Sequence, residues 1–220
     1  MAEVYFLDTD DYTFTDGVKA VVLQNLEVWE PHVRDHLPML PTRLNVTIDP
    51  TKRVIPETGQ AGFCHSKDWI SLGTDPDDHR GVAAVLRAQT PSWFAHEAHH
   101  AARYVALVGA TYEGRVVTTA VNEGLATVFQ EEVTGVKLPW AEYDGNIVDK
   151  WVEEVLGLQV GESGPHWRYL HPDGRRWVAY KGGTRIVEQA CEATGKTAAE
   201  LVAASTDEVL DAAGLLAGGS

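Results

Sequence analysis

Residues 91–109 read PSWFAHEAHHAARYVALVG, with three histidines and one glutamate inside positions 96–100. His96, Glu97 and His100 satisfy H-E-x-x-H. On a helix, residues i and i+4 sit one turn apart on the same face, so two imidazoles there can grip one zinc ion. Glu97 lies beside them, close enough to serve as a general base. The neighbours Trp93, Phe94, Ala95, Ala98, Ala101, Ala102 and Val105 are apolar or small. The helix therefore reads as buried, and polar side chains inside it need partners. The competing reading is a solvated, His-rich helix face. His99 is three positions after His96 and offers a second pairing. The i, i+4 pair with Glu97 adjacent is the spacing the chemistry uses, which leaves His99 a supporting role.

A catalytic zinc usually has three protein ligands and an open position. The candidate for the third is Glu123 in AVNEGLATVF, among Val121, Leu125, Val128 and Phe129. From His100 to the expected helix end near Val108 is a rise of about 12 Å, and from Arg115 to Glu123 is again about 12 Å. If the two helices fold back antiparallel, Glu123 returns level with His100.

Outward from this pair, residues 16–37 read as an amphipathic helix with apolar Val18, Val21, Val22, Leu26, Trp29 and Val33, kinked or split at Pro31. RLNVTID at 43–49 alternates as a half-buried strand. AGFCHS at 61–66 and DWISLGT at 68–74 read as a hairpin. The carboxylates of 75–78 suit a helix N-terminus, and Thr90 with Pro91 then reads as the cap and first turn of a new helix, ending at Gly109. Helices are expected over 116–135, 147–158, from Thr184 to Gly195 and over 198–216, with an irregular segment or lid at 159–177. A small sheet early and helices afterwards make the class α+β. Trp69 and Trp93 read as core, and Cys64 as a small buried strand residue.

The chain has 220 residues, 44% apolar and 23% charged, with a net charge of −14. That balance excludes the basic footprint needed for nucleic acid or anionic membrane surfaces. Two cysteines, Cys64 and Cys191, give no disulfide framework. The N-terminus lacks the pattern of a signal peptide, and no apolar run is long enough to span a membrane. The expected compartment is the cytoplasm. Nothing in the sequence fixes the oligomeric state.

His96-Glu97-x-x-His100 followed by Glu123 resembles the gluzincin pattern of thermolysin-like metallopeptidases. NVTIDPTKRVIPETGQAGF, DWISLGTDP, AHEAHHAARY, NEGLATVF and YKGGTRIVEQ, spread over about 43–190, resemble more specifically a bacterial domain-of-unknown-function family of predicted zinc-dependent proteases. The resemblance implies a single zincin-like domain. Its small mixed sheet would pack on the H-E-x-x-H helix over 1–109, and a helical part at 110–220 would carry the third ligand. It implies one zinc per chain held by His96, His100 and Glu123, with Glu97 as base. An edge strand, either DWISLGT or AGFCHS, would hold an extended peptide by strand addition. Many gluzincins carry Asp four residues after the ligand Glu; here Thr127 stands there. Thr184 stands where the family pattern suggests a second Tyr.

For the developing oxyanion, Tyr180 is the first candidate, on the strength of the resembling segment, with His166 and His171 of the lid as alternatives. Tyr180 reads equally as a packing residue, and the two histidines as loop residues. His99, Thr127 and Arg185 are further candidates for holding a ligand or the substrate. The resulting expectation is a zinc metallopeptidase acting on a peptide or protein. A zinc hydrolase of a small amide, and a zinc-binding regulatory or partner-binding domain without turnover, are the rival readings.

Overall fold

The computed structural model describes residues 1–107, 115–161 and 164–216. The expected helix end at Gly109 and the turn after it fall outside the described residues. The class is α+β, a four-stranded mixed sheet followed by a mostly helical part. The chain divides into two compact units, Met1–Val105 and Ala106–Ser220.

The first unit contains β1 (Glu3–Phe6), α1 (Asp16–His36), β2 (Asn45–Pro50), β3 (Gln60–Ser66), β4 (Trp69–Thr74) and nearly all of α2 (Val82–Ala106). Strand order is β1-β2-β4-β3. β1 and β4 run parallel to β2, while β3 is antiparallel to β4, with a register shift between Cys64 and Ser66. Alternation sends Val46, Ile48, Ile70 and Leu72 into the core, all fully buried. The other face carries Tyr5, Phe63 and Trp69, all exposed. Trp69 is thus not a core residue: its odd register position turns it outward, where it stacks on His65 at 4.0 Å and donates to the Thr47 hydroxyl.

Helix α1 starts at Thr15, whose side chain accepts from the Val18 amide, and it carries Arg34 and His36 in its last turn, matching the dipole. It runs unbroken through Pro31. Both Pro31 and Glu27, whose carbonyl loses its donor, are on the exposed side, where water can satisfy the orphaned oxygen.

Helix α2 is also unbroken, which corrects the expected division at Thr90 and Pro91. Pro91 cannot donate to the Arg87 carbonyl one turn back. The Asn25 side-chain amide of α1 donates to that oxygen instead, at 3.3 Å. Thr90 does not cap a new helix; its hydroxyl donates to the Leu86 carbonyl at 2.6 Å. The helix begins only at Val82, because Asp75 and Asp78 are engaged by Lys52 and Arg80 in the preceding loop.

The second unit contains α3 (Val116–Thr134), α4 (Gly145–Gly157), α5 (Gly164–Arg168), α6 (Val178–Thr194) and α7 (Thr206–Ala212). α3 ends at Gly135, which takes the left-handed conformation at φ 69° and returns its amide to the Glu131 carbonyl. α3 and α6 cross backbone to backbone. A methyl on Gly124 would overlap the Gly183 carbonyl oxygen and lie 2.8 Å from the Thr184 amide nitrogen. A methyl on Gly183 would overlap the Ala120 carbonyl. α6 starts six residues before the expected Thr184 because Gly182 and Gly183 form a packing surface there rather than a break. The segment expected to be irregular contains α5 and a turn closed by the Leu170–Arg176 bridge. In place of a helix over 198–216 there are turns, then the short α7, opened by a Ser205–Glu208 capping box.

Candidate metal centre

The middle of α2 is sealed on most sides: Phe94, Ala95, Ala98, Ala101 and Ala102 are fully buried. Of its polar residues, His96 is 8% exposed, Glu97 6% and His99 0%. His96 and His100 project from one face one turn apart. Their Nε2 atoms lie 3.2 Å from each other, and the rings meet at 80°. Two nitrogens each about 2.1 Å from a tetrahedral zinc sit about 3.4 Å apart. The two imidazoles therefore already hold the edge of such a coordination polyhedron, and they fit a zinc ion.

One stripe round the helix, Trp93 and Glu97 are also one turn apart, and they face the sheet. The Trp93 indole N–H donates to the Ser71 carbonyl of β4 at 3.0 Å. Glu97 lies against β3, where a methyl on Gly62 would overlap its Oε1. Cys64, two residues along the same face of β3, is also buried. Burial, reinforced by the Glu97 charge, pushes its thiol well above the ordinary range. A thiol held protonated is no nucleophile. Strand β4 is bonded on both sides and is removed as a candidate for strand addition, whereas β3 is an edge strand.

In the second unit, Glu123 is buried in the middle of α3, 6% exposed. Thr127 follows one turn on, fully buried, and among the described residues its hydroxyl has no hydrogen-bond partner. Two imidazoles and one carboxylate make His96, His100 and Glu123 a donor set that could hold a metal ion.

Tyr180 stands on the first turn of α6, with its ring edge-on to Trp140 and Trp177. Trp177, the N-cap, is in the left-handed region at φ 63° and buried. Thr184 is fully buried, and its hydroxyl donates to the Tyr180 carbonyl at 2.9 Å. It sits at the Gly124–Gly183 crossing, which is crowded. His171 Nδ1 is 2.8 Å from Asp173 within the turn after α5, and Arg185 Nε donates to Asp149 of α4 at 2.8 Å. His166 is exposed on α5. Gly62 and Trp93 were not singled out as site residues from sequence. A glycine inside a strand signals close approach by something, and that was the available clue to Gly62.

The fold is α+β, with a mixed sheet laid on the helix that carries His96, Glu97 and His100. Residues 22–211 match the family model described as predicted Zn-dependent protease (DUF2268), and the chain belongs to that family. No curated protein and no solved structure matches it. Among the described residues, no helix is long and apolar enough to cross a membrane.

Proposed function

We propose that the chain is a zinc-dependent peptidase of gluzincin type, with one zinc per chain held by His96, His100 and Glu123. The observation that carries this reading is the convergence of the His96 and His100 Nε2 atoms on a buried helix, with Glu97 beside them. Family membership supports it independently. When bound, zinc supplies a Lewis acid for the scissile carbonyl and lowers the pKa of water.

The chain's own residues do the rest. Glu97 accepts the proton of the attacking water and passes it to the leaving amine. β3, as an edge strand, takes the extended substrate backbone by strand addition. Tyr180 donates to the developing oxyanion. His99 and Thr127 support the ligand helices from behind. With Cys64 and Cys191 both free, the protein works in a reducing compartment, the cytoplasm.

The test is cleavage of a mixed peptide library, read by mass spectrometry. New termini should appear with the zinc-loaded protein, vanish on chelation and return when zinc is restored. Hydrolysis confined to small amides, or no hydrolysis by a fully zinc-loaded chain, contradicts the peptidase reading.

A further inference from the structure

Gly62 lies within β3, where a side chain would normally alternate toward the helix. A methyl there would overlap Glu97 Oε1 and Trp93 Cδ1 and lie 2.6 Å from Trp93 Nε1. The indole is tied to the sheet, because its N–H is bonded to the Ser71 carbonyl. The carboxylate therefore occupies the space that any other residue at position 62 would fill.

We infer that Gly62 is a positioning residue for Glu97: its missing side chain is the seat of the carboxylate. It lets the strand that takes the substrate approach the group that accepts the proton. This rests on the reading of Glu97 as general base.

A side chain at position 62 must press on the indole and push the carboxylate aside, since the strand is tied by its ladder to β4; the carboxylate, at the far end of a flexible side chain, gives more readily than an indole bonded to Ser71. A displacement of about 1 Å at a reacting group costs about 100-fold in rate. The histidine pair is on the neighbouring stripe of α2, so zinc binding is unaffected.

The experiment compares the zinc-loaded wild type with Gly62→Ala on a peptide the wild type cleaves. Expected are a fall in kcat of about 100-fold, KM within about threefold, and unchanged zinc content by elemental analysis. The same substitution is then made in Glu97→Asp, whose carboxylate is drawn back by one methylene and gives up its contact with the methyl, so that only the indole contact remains. In that background Gly62→Ala should cost less than about tenfold, where independent effects would multiply. If Gly62→Ala does not fold, the comparison is made between Trp93→Ala and Trp93→Ala/Gly62→Ala, which removes the indole contact and keeps the carboxylate contact. An active wild type whose Gly62→Ala variant keeps kcat within threefold, or a double variant with fully multiplicative losses, overturns this inference alone. A zinc-loaded wild type that cleaves no peptide overturns the peptidase reading and this inference with it.

Discussion

Glu97→Gln should leave the zinc in place and remove turnover, lowering kcat by about a thousandfold with little change in KM. The substitution keeps shape and volume, so the side chain keeps its place against Gly62. It removes the one property on which the proposed chemistry depends, acceptance of a proton from water and its return to the leaving amine. General acid–base groups contribute about 100- to 10,000-fold, and a residue serving both transfers belongs in the upper half of that range. Initial rates on a cleavable peptide, with elemental analysis on the same samples, check it. A variant within tenfold of wild type would remove Glu97 from the proton path; lost zinc would mean that the glutamate holds the metal site rather than works beside it.

The second large effect is on stability. In an ordinary helix interior, Gly→Ala stabilises by about 1 kcal/mol. Gly183→Ala should reverse that sign and destabilise the chain by about 3 kcal/mol or more, beyond the usual cost of overpacking. The added methyl meets the Ala120 carbonyl carbon at 2.6 Å and overlaps its oxygen, and that is backbone held in α3, not the end of a flexible side chain. The helices must separate, and Glu123, next to Gly124 in the crossing, moves with α3. Gly157→Ala, at the end of α4 with nothing within 4 Å of the new methyl, should be neutral or slightly stabilising. Denaturant midpoints for the two variants test the contrast. Equal midpoints would show that the crossing is looser than its geometry implies.

The local parts of this fold were legible from sequence. His96, Glu97 and His100 lie within one helical turn, so their shared surface follows from helix geometry alone. The alternation of Val46 and Ile48, and of Ile70 and Leu72, identified β2 and β4 because one face is buried. What failed depended on residues far away. Pro91 read as a break because the donor that repairs it, Asn25, comes from α1. The first turns of α6, before Thr184, went unread because the partner of Gly183, α3, lies some sixty residues earlier. β1 has four residues, too few for a period to show, and it exists through pairing with β2. Gly62 carried a faint sign, a glycine inside a strand, but only the structure says that Glu97 is what approaches it. His171 and Arg185 were read from residue type alone; the structure pairs them with the carboxylates of Asp173 and Asp149.

The most direct test of the central claim is the zinc content and affinity of the purified chain beside Glu123→Ala, by elemental analysis and competition with a chromophoric chelator. The proposed site predicts close to one zinc per chain in the native protein and affinity at least tenfold weaker in the variant, since one of three protein ligands is gone. No zinc in either after incubation with excess metal would contradict the metal centre itself. Equal affinity in both would leave the histidine pair standing and remove Glu123 from it.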